Sequence, residues 1–81
     1  MARTFGSPRH AALVAFLKKK RKEAGLTQAK VAKRIGRYQS FITDYERGQK
    51  RIDAVELVEI AEAIGFDPLE ALKLIKRTRA K

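Results

Sequence analysis

Residues that begin and end α-helices alternate along this chain and divide it into short segments. Within each segment, apolar residues recur at the three- and four-residue spacing of a helix face, and we find no two-residue alternation typical of a strand. Four segments follow a capping side chain, at Ser7, Thr27, Asp53 and Asp67, and four end at a glycine, at positions 25, 36, 48 and 65. This pattern predicts an all-α fold of five helices, at about residues 8–24, 28–35, 39–47, 54–64 and from 68 onward.

The length of the chain limits how large its hydrophobic core can be. Its 81 residues predict one small domain, 1–81, with a thin core that packing must stabilise, with or without a partner subunit. Cysteine is absent, so no disulfide or thiolate metal site is expected. The single histidine, His10, has no neighbouring ligand, and we expect it to be exposed or packed near the start of the first helix. No catalytic signature is present, so we expect no cofactor, no metal and no enzymatic activity.

The charge of the chain is both large and segregated. The net charge is +10, with 14 lysines and arginines against three acids in residues 1–51, six acids and no base in 52–72, and five bases and no acid in 73–81. Such an excess predicts a polyanionic partner, either nucleic acid or an anionic membrane, although a merely solvated basic surface is the alternative. The longest apolar run, residues 11–17, is too short to span a bilayer and precedes lysines rather than a cleavage site. We therefore expect a soluble, intracellular protein.

Two consecutive short helices, 28–35 and 39–47, are typical of a helix-turn-helix. Gly36 lies in the turn between them, where a positive φ costs glycine nothing. Ala32 is small enough for the two helices to cross closely. The residues expected to face the core are all apolar, namely Val31, Ile35, Ile42 and Tyr45.

These residues resemble the phage repressor/Cro-like, or XRE-type, helix-turn-helix regulators. The resemblance covers about residues 9–67 and rests on Leu26-Thr27-Gln28, Ala32, Gly36, Gln39-Ser40-Phe41-Ile42 and Tyr45-Glu46-Arg47-Gly48. It implies a compact five-helix, lambda-repressor-like DNA-binding domain with its motif at about 27–47. The basic termini, 1–6 and 78–81, are expected to be flexible.

The resemblance also implies that helix 39–47 is a recognition helix that lies in the major groove. Base readout is then expected from Gln39, Ser40, Thr43 and Asp44, and phosphate contacts from Gln28, Arg37, Tyr38, Arg47, Lys50 and Arg51. Gln28 is also expected to brace Gln39, whose amide suits adenine. Thr43 can give its hydroxyl to a phosphate or base, or its methyl to a thymine methyl.

Three positions in this region leave alternatives open. Asp44 departs from the family pattern, and it either accepts from cytosine N4 or pairs with Arg47. Phe41 either touches a thymine methyl or packs on the preceding helix. Tyr38 stands where a capping residue is expected, and its hydroxyl is a candidate phosphate ligand.

Arg21 is expected to have a structural role. It falls on the same face of the first helix as Leu17, so it needs a partner near the core. The resemblance implies that this partner is Glu46, in an ion pair behind the recognition helix. The basic run 18–22 around Arg21 is expected to be partly a solvated face, and direct contact of its lysines with flanking phosphates is the less favoured alternative.

The fifth helix is the expected dimer contact. Leu69, Leu72 and Ile75 form a stripe assigned to the core, and Ala71 and Leu74 form a second stripe assigned to the dimer interface. The alternative is an ordinary helix with one exposed leucine. A homodimer on a palindromic operator would follow from the resemblance.

Three functions are compatible with the sequence. The first is a sequence-specific regulator that binds double-stranded DNA in the cytoplasm, at the nucleoid, including an antitoxin with a cognate toxin or a restriction-modification controller. The second is a non-specific architectural nucleic-acid binder, and the third is an adaptor for an acidic protein. The adjacent Gln39 and Ser40 favour the first, whereas charge alone would suffice for the second.

Overall fold

Five α-helices follow one another in the computed structural model, which describes residues 7–80. They are α1 (Pro8–Glu23), α2 (Gln28–Ile35), α3 (Gln39–Glu46), α4 (Ala54–Ile64) and α5 (Pro68–Arg77), and residues 7–80 contain no strand. The predicted all-α class is confirmed. Two ends differ by one residue, because Ala24 and Arg47 are C-caps rather than helical residues.

Side-chain caps begin four of the helices where the sequence predicts them. Ser7 and Thr27 accept from the backbone N–H groups three residues on, each at 3.1 Å. Asp53 and Glu56 form a reciprocal capping box at the start of α4, and Asp67 accepts from the N–H of Leu69. Local hydrogen bonds therefore fix the helix starts independently of tertiary packing.

The core is formed mainly by α1, α2, α3 and α4, and α5 adds Ala71. Its fully buried large side chains are Leu17, Val31, Ile42, Tyr45 and Ile60. The helix α2 packs on α3 and α4, and Arg34 Nη1 of α2 also donates to the carbonyl of Ala63 in α4 at 2.7 Å. This packing holds α2 and α3 as one unit whose other faces are exposed.

The helix α5 packs on α1 and α4, but its faces differ from the prediction. Ala71 is 0% exposed and belongs to the core, so it cannot belong to a dimer surface. Leu69 and Leu72, assigned to the core, are 56% and 49% exposed, while Leu74 is only partly exposed. The physical reason is rotational: at 100° per residue, a helix that turns Ala71 inward carries Leu72 about 100° and Leu69 about 200° away.

Part of the predicted basic C-terminus is held by hydrogen bonds. Thr78 Oγ1 donates to the carbonyl of Leu74 at 2.7 Å, and Arg9 Nε of α1 donates to the carbonyl of Thr78 at 3.0 Å. Thr78 is therefore anchored, in contrast to the prediction of flexibility from residue 78. The predicted flexibility of residues 1–6 and of Lys81 falls outside the described residues.

Two further sequence expectations concern membranes and metals. Within residues 7–80, none of the helices is long and apolar enough to cross a membrane. Among the same residues, no three histidine, aspartate or glutamate side chains are grouped as metal ligands. His10 is buried rather than exposed, and burial together with the charge of Arg51 lowers its pKa.

Candidate nucleic-acid interface

The turn between α2 and α3 has the geometry of a helix-turn-helix. Gly36 ends α2 with φ 69° and ψ 33°, a left-handed conformation that its missing Cβ permits. Ala32 is buried where α2 faces α3, and Ile42 and Tyr45 hold the inner side of α3 in the core. The opposite side of α3 is thereby fixed at the surface.

The outer side of α3 carries the four predicted base-reading residues. Gln39 and Ser40, in its first turn, are exposed, and Thr43 and Asp44, one turn later, are partly buried. No ion pair joins Asp44 to Arg47 within the described part of the chain, so that alternative is wrong for the free protein. Among the described residues, the carboxylate of Asp44 has no ion-pair partner.

Gln28 connects α2 to this surface through its side-chain amide. Its Oε1 accepts from Gln39 Nε2 at 3.4 Å, which is the expected brace, and from Thr43 Oγ1 at 2.8 Å. The bond to Thr43 is much the shorter, and the sequence did not predict it. Gln28 therefore positions two of the side chains that are predicted to read bases.

Behind Gln28 lies the ion pair between Arg21 of α1 and Glu46 of α3. Arg21 Nε and Nη2 reach the two carboxylate oxygens at 2.6 and 2.9 Å, and the side chains are only 10% and 3% exposed. Arg21 Nη1 donates to the carbonyl of Leu26, and Gln28 Nε2 donates to Glu46 Oε1 at 2.9 Å. This bidentate pair is the one that the resemblance implies, and Gln28 extends it to α3's outer surface.

The ion pair shifts the pKa values of both partners. Burial alone would raise the pKa of Glu46, but hydrogen bonds from Arg21 and Gln28, together with the charges of Arg21 and Lys18, outweigh burial and lower it. The hydrogen bond to Glu46 raises the pKa of Arg21. Both groups are therefore held in their charged forms, as a paired buried charge must be.

Phe41 is buried and serves packing. Its ring meets the Tyr45 ring edge to face, with centroids 5.6 Å apart. The guanidinium of Arg37 lies 4.4 Å from the centroid of the Phe41 ring and the Lys50 ammonium 5.5 Å from it. Phe41 thus orients two of the predicted phosphate ligands.

The remaining predicted phosphate ligands surround α3. Tyr38 is 87% exposed and provides no side-chain cap for α3, while Arg47 and Arg51 are exposed in the segment that follows. Arg37 is also engaged by Glu56, with Nη2 and Oε2 2.8 Å apart. The structure therefore places Arg37 and Lys50 against Phe41 of α3, whereas Arg51 lies beside His10 of α1.

The basic run 18–22 is divided between different environments. Lys18, Lys19 and Lys22 are exposed, as a solvated face requires. Lys20 instead lies 5.5 and 5.9 Å from the ring centroids of Phe16 and Phe66, and 3.4 Å from the carboxylate of Glu70. Its charge therefore serves the contact between α1 and α5.

Comparisons with known proteins agree with this geometry. A curated relative, the HTH-type transcriptional regulator y4dJ from Sinorhizobium fredii (strain NBRC 101917 / NGR234), is 38% identical over 50 residues. The matched region covers 62% of this chain and 65% of that protein, so the chain spans less than two thirds of its length.

Two solved structures share the fold. An XRE-family-like protein from Pseudomonas syringae pv. tomato str. DC3000 is 37% identical, with a TM-score of 0.79 over 84% of this chain and 83% of that one. The restriction-modification controller protein C.AhdI from Aeromonas hydrophila is 27% identical, with a TM-score of 0.72 over 76% of this chain and 94% of that one.

Fold and surface together define a helix-turn-helix DNA-binding domain. The profile of the helix-turn-helix family matches residues 17–70, which is most of the chain. The chain belongs to this family and to its XRE-type branch, whose members are DNA-binding transcriptional regulators.

Proposed function

We propose that this protein is a small transcriptional regulator that binds a specific double-stranded DNA sequence through α3 in the major groove. The observation that carries the proposal is the outer side of α3, where four polar side chains stand on a helix fixed by a buried ion pair. A helix of this diameter fits the major groove, where each base pair presents a distinct hydrogen-bonding pattern. Gln39 and Ser40 in the first turn are the most accessible to base edges.

Phosphate contacts from the rim of this surface would supply most of the affinity. Arg37, Tyr38, Lys50 and the arginines at 47 and 51 flank α3, and Gln28 lies at the N-terminus of α2. Such contacts orient a domain on the duplex without reading its sequence. The acidic residues of 52–72 lie mainly on α4 and the start of α5, and one of them, Glu56, pairs with Arg37 of this rim.

We infer that the protein acts as a homodimer on a palindromic operator. The helices α4 and α5 pack on each other. Their exposed apolar side chains are Val55, Val58, Leu69 and Leu72. Exposed Glu59 and Glu62 accompany the valines, whereas Lys73 and Lys76 accompany the leucines. A two-fold axis that sets α4 of one copy against α5 of the other would bury apolar groups and pair opposite charges. This surface replaces the one predicted at Ala71 and Leu74.

We assign this activity to the cytoplasm, at the nucleoid, within a single domain. Two specialised forms of the same function are an antitoxin paired with a toxin and a controller of a restriction-modification system. The likeness to C.AhdI, a restriction-modification controller by name, favours the second of these forms.

Selection of bound sites from random duplexes tests the proposal. We expect one enriched sequence with two related half-sites about 34 Å apart, and competition by bulk DNA that is far weaker than by the selected site. For a dimer making about 6–10 phosphate contacts, the logarithm of affinity should fall against the logarithm of salt concentration with a slope of about −5 to −9. Binding with that slope but without an enriched sequence would identify the non-specific architectural binder. A slope near zero would refute DNA binding.

A further inference from the structure

A chain of hydrogen bonds leads from the ion pair to the outer side of α3. Glu46, at the inner end, determines which group donates and which accepts in each bond of this chain. Glu46 is a carboxylate whose two oxygens both accept from Arg21, and a carboxylate has no hydrogen to donate. Gln28 must therefore turn its Nε2 toward Glu46 Oε1, at 2.9 Å. The other end of the same amide, the acceptor Oε1, then faces α3.

The polarity continues from Gln28 to α3. Because Oε1 of Gln28 can only accept, Thr43 has to give it the single hydrogen of its hydroxyl, at 2.8 Å. Gln39 gives it one of its two amide hydrogens, at 3.4 Å. Thr43 is thus left with acceptor lone pairs and a methyl group, while Gln39 keeps one N–H and a free Oε1.

We propose, on the basis of the function proposed above, that Thr43 reads a base by accepting a hydrogen bond from an exocyclic amino group, and that it does not bind phosphate. In the major groove the only such donors are N6 of adenine and N4 of cytosine. Phosphate oxygens, guanine O6 and N7, and thymine O4 are all acceptors, and a hydroxyl whose hydrogen is committed to Gln28 offers them nothing. Glu46 is connected to Thr43 through Gln28, by two hydrogen bonds. It is then a specificity-determining residue that does not contact DNA.

The same argument defines the two neighbouring residues. Gln39 retains one donor and one acceptor, which is the pair that adenine N7 and N6 require. Gln28 has one amide hydrogen left for a phosphate, in agreement with its position at the N-terminus of α2. The hydrogen bonds within the protein therefore determine which donors and acceptors Gln28, Gln39 and Thr43 retain for DNA.

Hydroxyl removal is the direct test. Bound sites are selected from random duplexes with the wild type, Thr43→Val and Thr43→Ser, with Thr78→Val, at the C-cap of α5, as a matched control for loss of a threonine hydroxyl. We expect Thr43→Val to lose the preference for adenine or cytosine at one base pair of each half-site by about tenfold, the order of one discriminating base contact. Thr43→Ser and Thr78→Val should keep it. Valine retains the methyl group, so an unchanged preference in Thr43→Val would overturn the proposal and indicate a thymine-methyl contact.

Base analogues identify the donor. In the selected site, purine replaces the adenine, or pyrimidin-2-one the cytosine, so that the amino group becomes hydrogen. Wild-type affinity should fall by about tenfold, and that of Thr43→Val should not change. An equal loss of affinity by Thr43→Val on selected and random duplexes would overturn the proposal in favour of a phosphate contact. A wild type that enriches no sequence would refute the proposed function itself, which is a separate result.

Gln28→Leu tests the source of the polarity. With its acceptor removed, the Thr43 hydroxyl is free to donate, so guanine and thymine should become acceptable at the base pair that Thr43→Val identifies. A lower melting temperature alone would not widen the preference at one base pair. An unchanged preference in Gln28→Leu would overturn the assignment of polarity to the Glu46–Gln28 chain.

Discussion

Arg37, in the turn before α3, and Glu56, in the first turn of α4, form a hydrogen-bonded ion pair at 2.8 Å. The second oxygen of Glu56 accepts from the backbone N–H of Asp53 at 3.0 Å and so completes the cap of α4. One carboxylate thus connects the start of the recognition helix to the start of the next helix. Arg37 therefore has a structural partner that competes with phosphate for its charge.

Arg37→Ala should lower both stability and DNA affinity, whereas Arg47→Ala should lower affinity alone. Because the Arg37 side chain is partly exposed, we expect a loss of about 0.5–1 kcal/mol in the free energy of unfolding. The salt slope of binding should become shallower by about one for each phosphate contact removed. Melting curves and salt titrations of the two variants test this, and an Arg37→Ala protein with unchanged melting would show that the ion pair contributes nothing.

Arg21→Ala and Glu46→Ala should each destabilise the domain strongly. Either variant leaves one uncompensated charge at a buried site, which costs about 3–5 kcal/mol. The double variant Arg21→Met/Glu46→Leu leaves no buried charge, so it should recover much of the lost stability. Urea unfolding measures all three, and equal stability of the single variants and the wild type would contradict the burial of this pair.

The lowered pKa of Glu46 predicts loss of stability in acid. Between the ordinary glutamate pKa, near 4.3, and the lower folded value, the unfolded chain binds more protons than the folded one. The contribution of Glu46 is therefore complete only well above the ordinary glutamate pKa and is lost as the pH falls through the folded pKa. The melting temperature of Glu46→Gln should fall less steeply with acidification than that of the wild type, and parallel curves would refute this assignment.

Gln39→Ala should relax sequence preference rather than general binding. We expect a loss of about 1–3 kcal/mol in binding free energy on the selected site and little change on random duplexes, because a base contact is absent from non-specific complexes. Gln49→Ala, at an exposed position after α3, is the matched control. Equal losses on both kinds of duplex would mean that Gln39 only positions the domain.

Leu72→Glu should weaken dimerisation while the monomer stays folded. Leu72 is about half exposed, so a charge is tolerated in the monomer but is desolvated in the proposed interface. Ala11→Glu adds the same charge at an exposed position of α1 and should leave the dimer intact. Sedimentation and titration of the full palindrome measure the effect, and a Leu72→Glu protein that remains a dimer would exclude this surface.

The helix boundaries were predictable because they depend on neighbours in sequence. Thr27 and Asp53 cap through N–H groups three residues away, and Gly36 ends α2 by its own φ. The rotation of α5 was not predictable from the same information. Hydrophobicity favours Leu69 and Leu72 for the core, but the helix packs on α1 and α4 through Ala71. From sequence alone, an alanine that lets two helices pack closely cannot be distinguished from an alanine that faces solvent.

The resemblance predicted two of the side-chain contacts around α3 and missed a third. The resemblance implied the pair of Arg21 with Glu46 and the brace from Gln28 to Gln39, and both are present. The bond from Thr43 to Gln28 was missed, because it depends on how two side chains meet across 15 residues of chain. The i, i+4 spacing of Gln39 and Thr43 on one face of α3 is the signal that could have indicated a shared partner.

Among the five helices of residues 7–80, α3 alone begins without a side-chain cap, since Tyr38 offers no acceptor to its first turn. A serine or aspartate there would stabilise the free domain by about 1 kcal/mol. Without such a cap, the backbone N–H groups of Gln39 and Ser40 have no hydrogen-bond acceptor among residues 7–80. The helix α3 therefore depends for its stability on the burial of Phe41, Ile42 and Tyr45 more than the other four helices depend on their buried side chains, because those four also have a capping side chain.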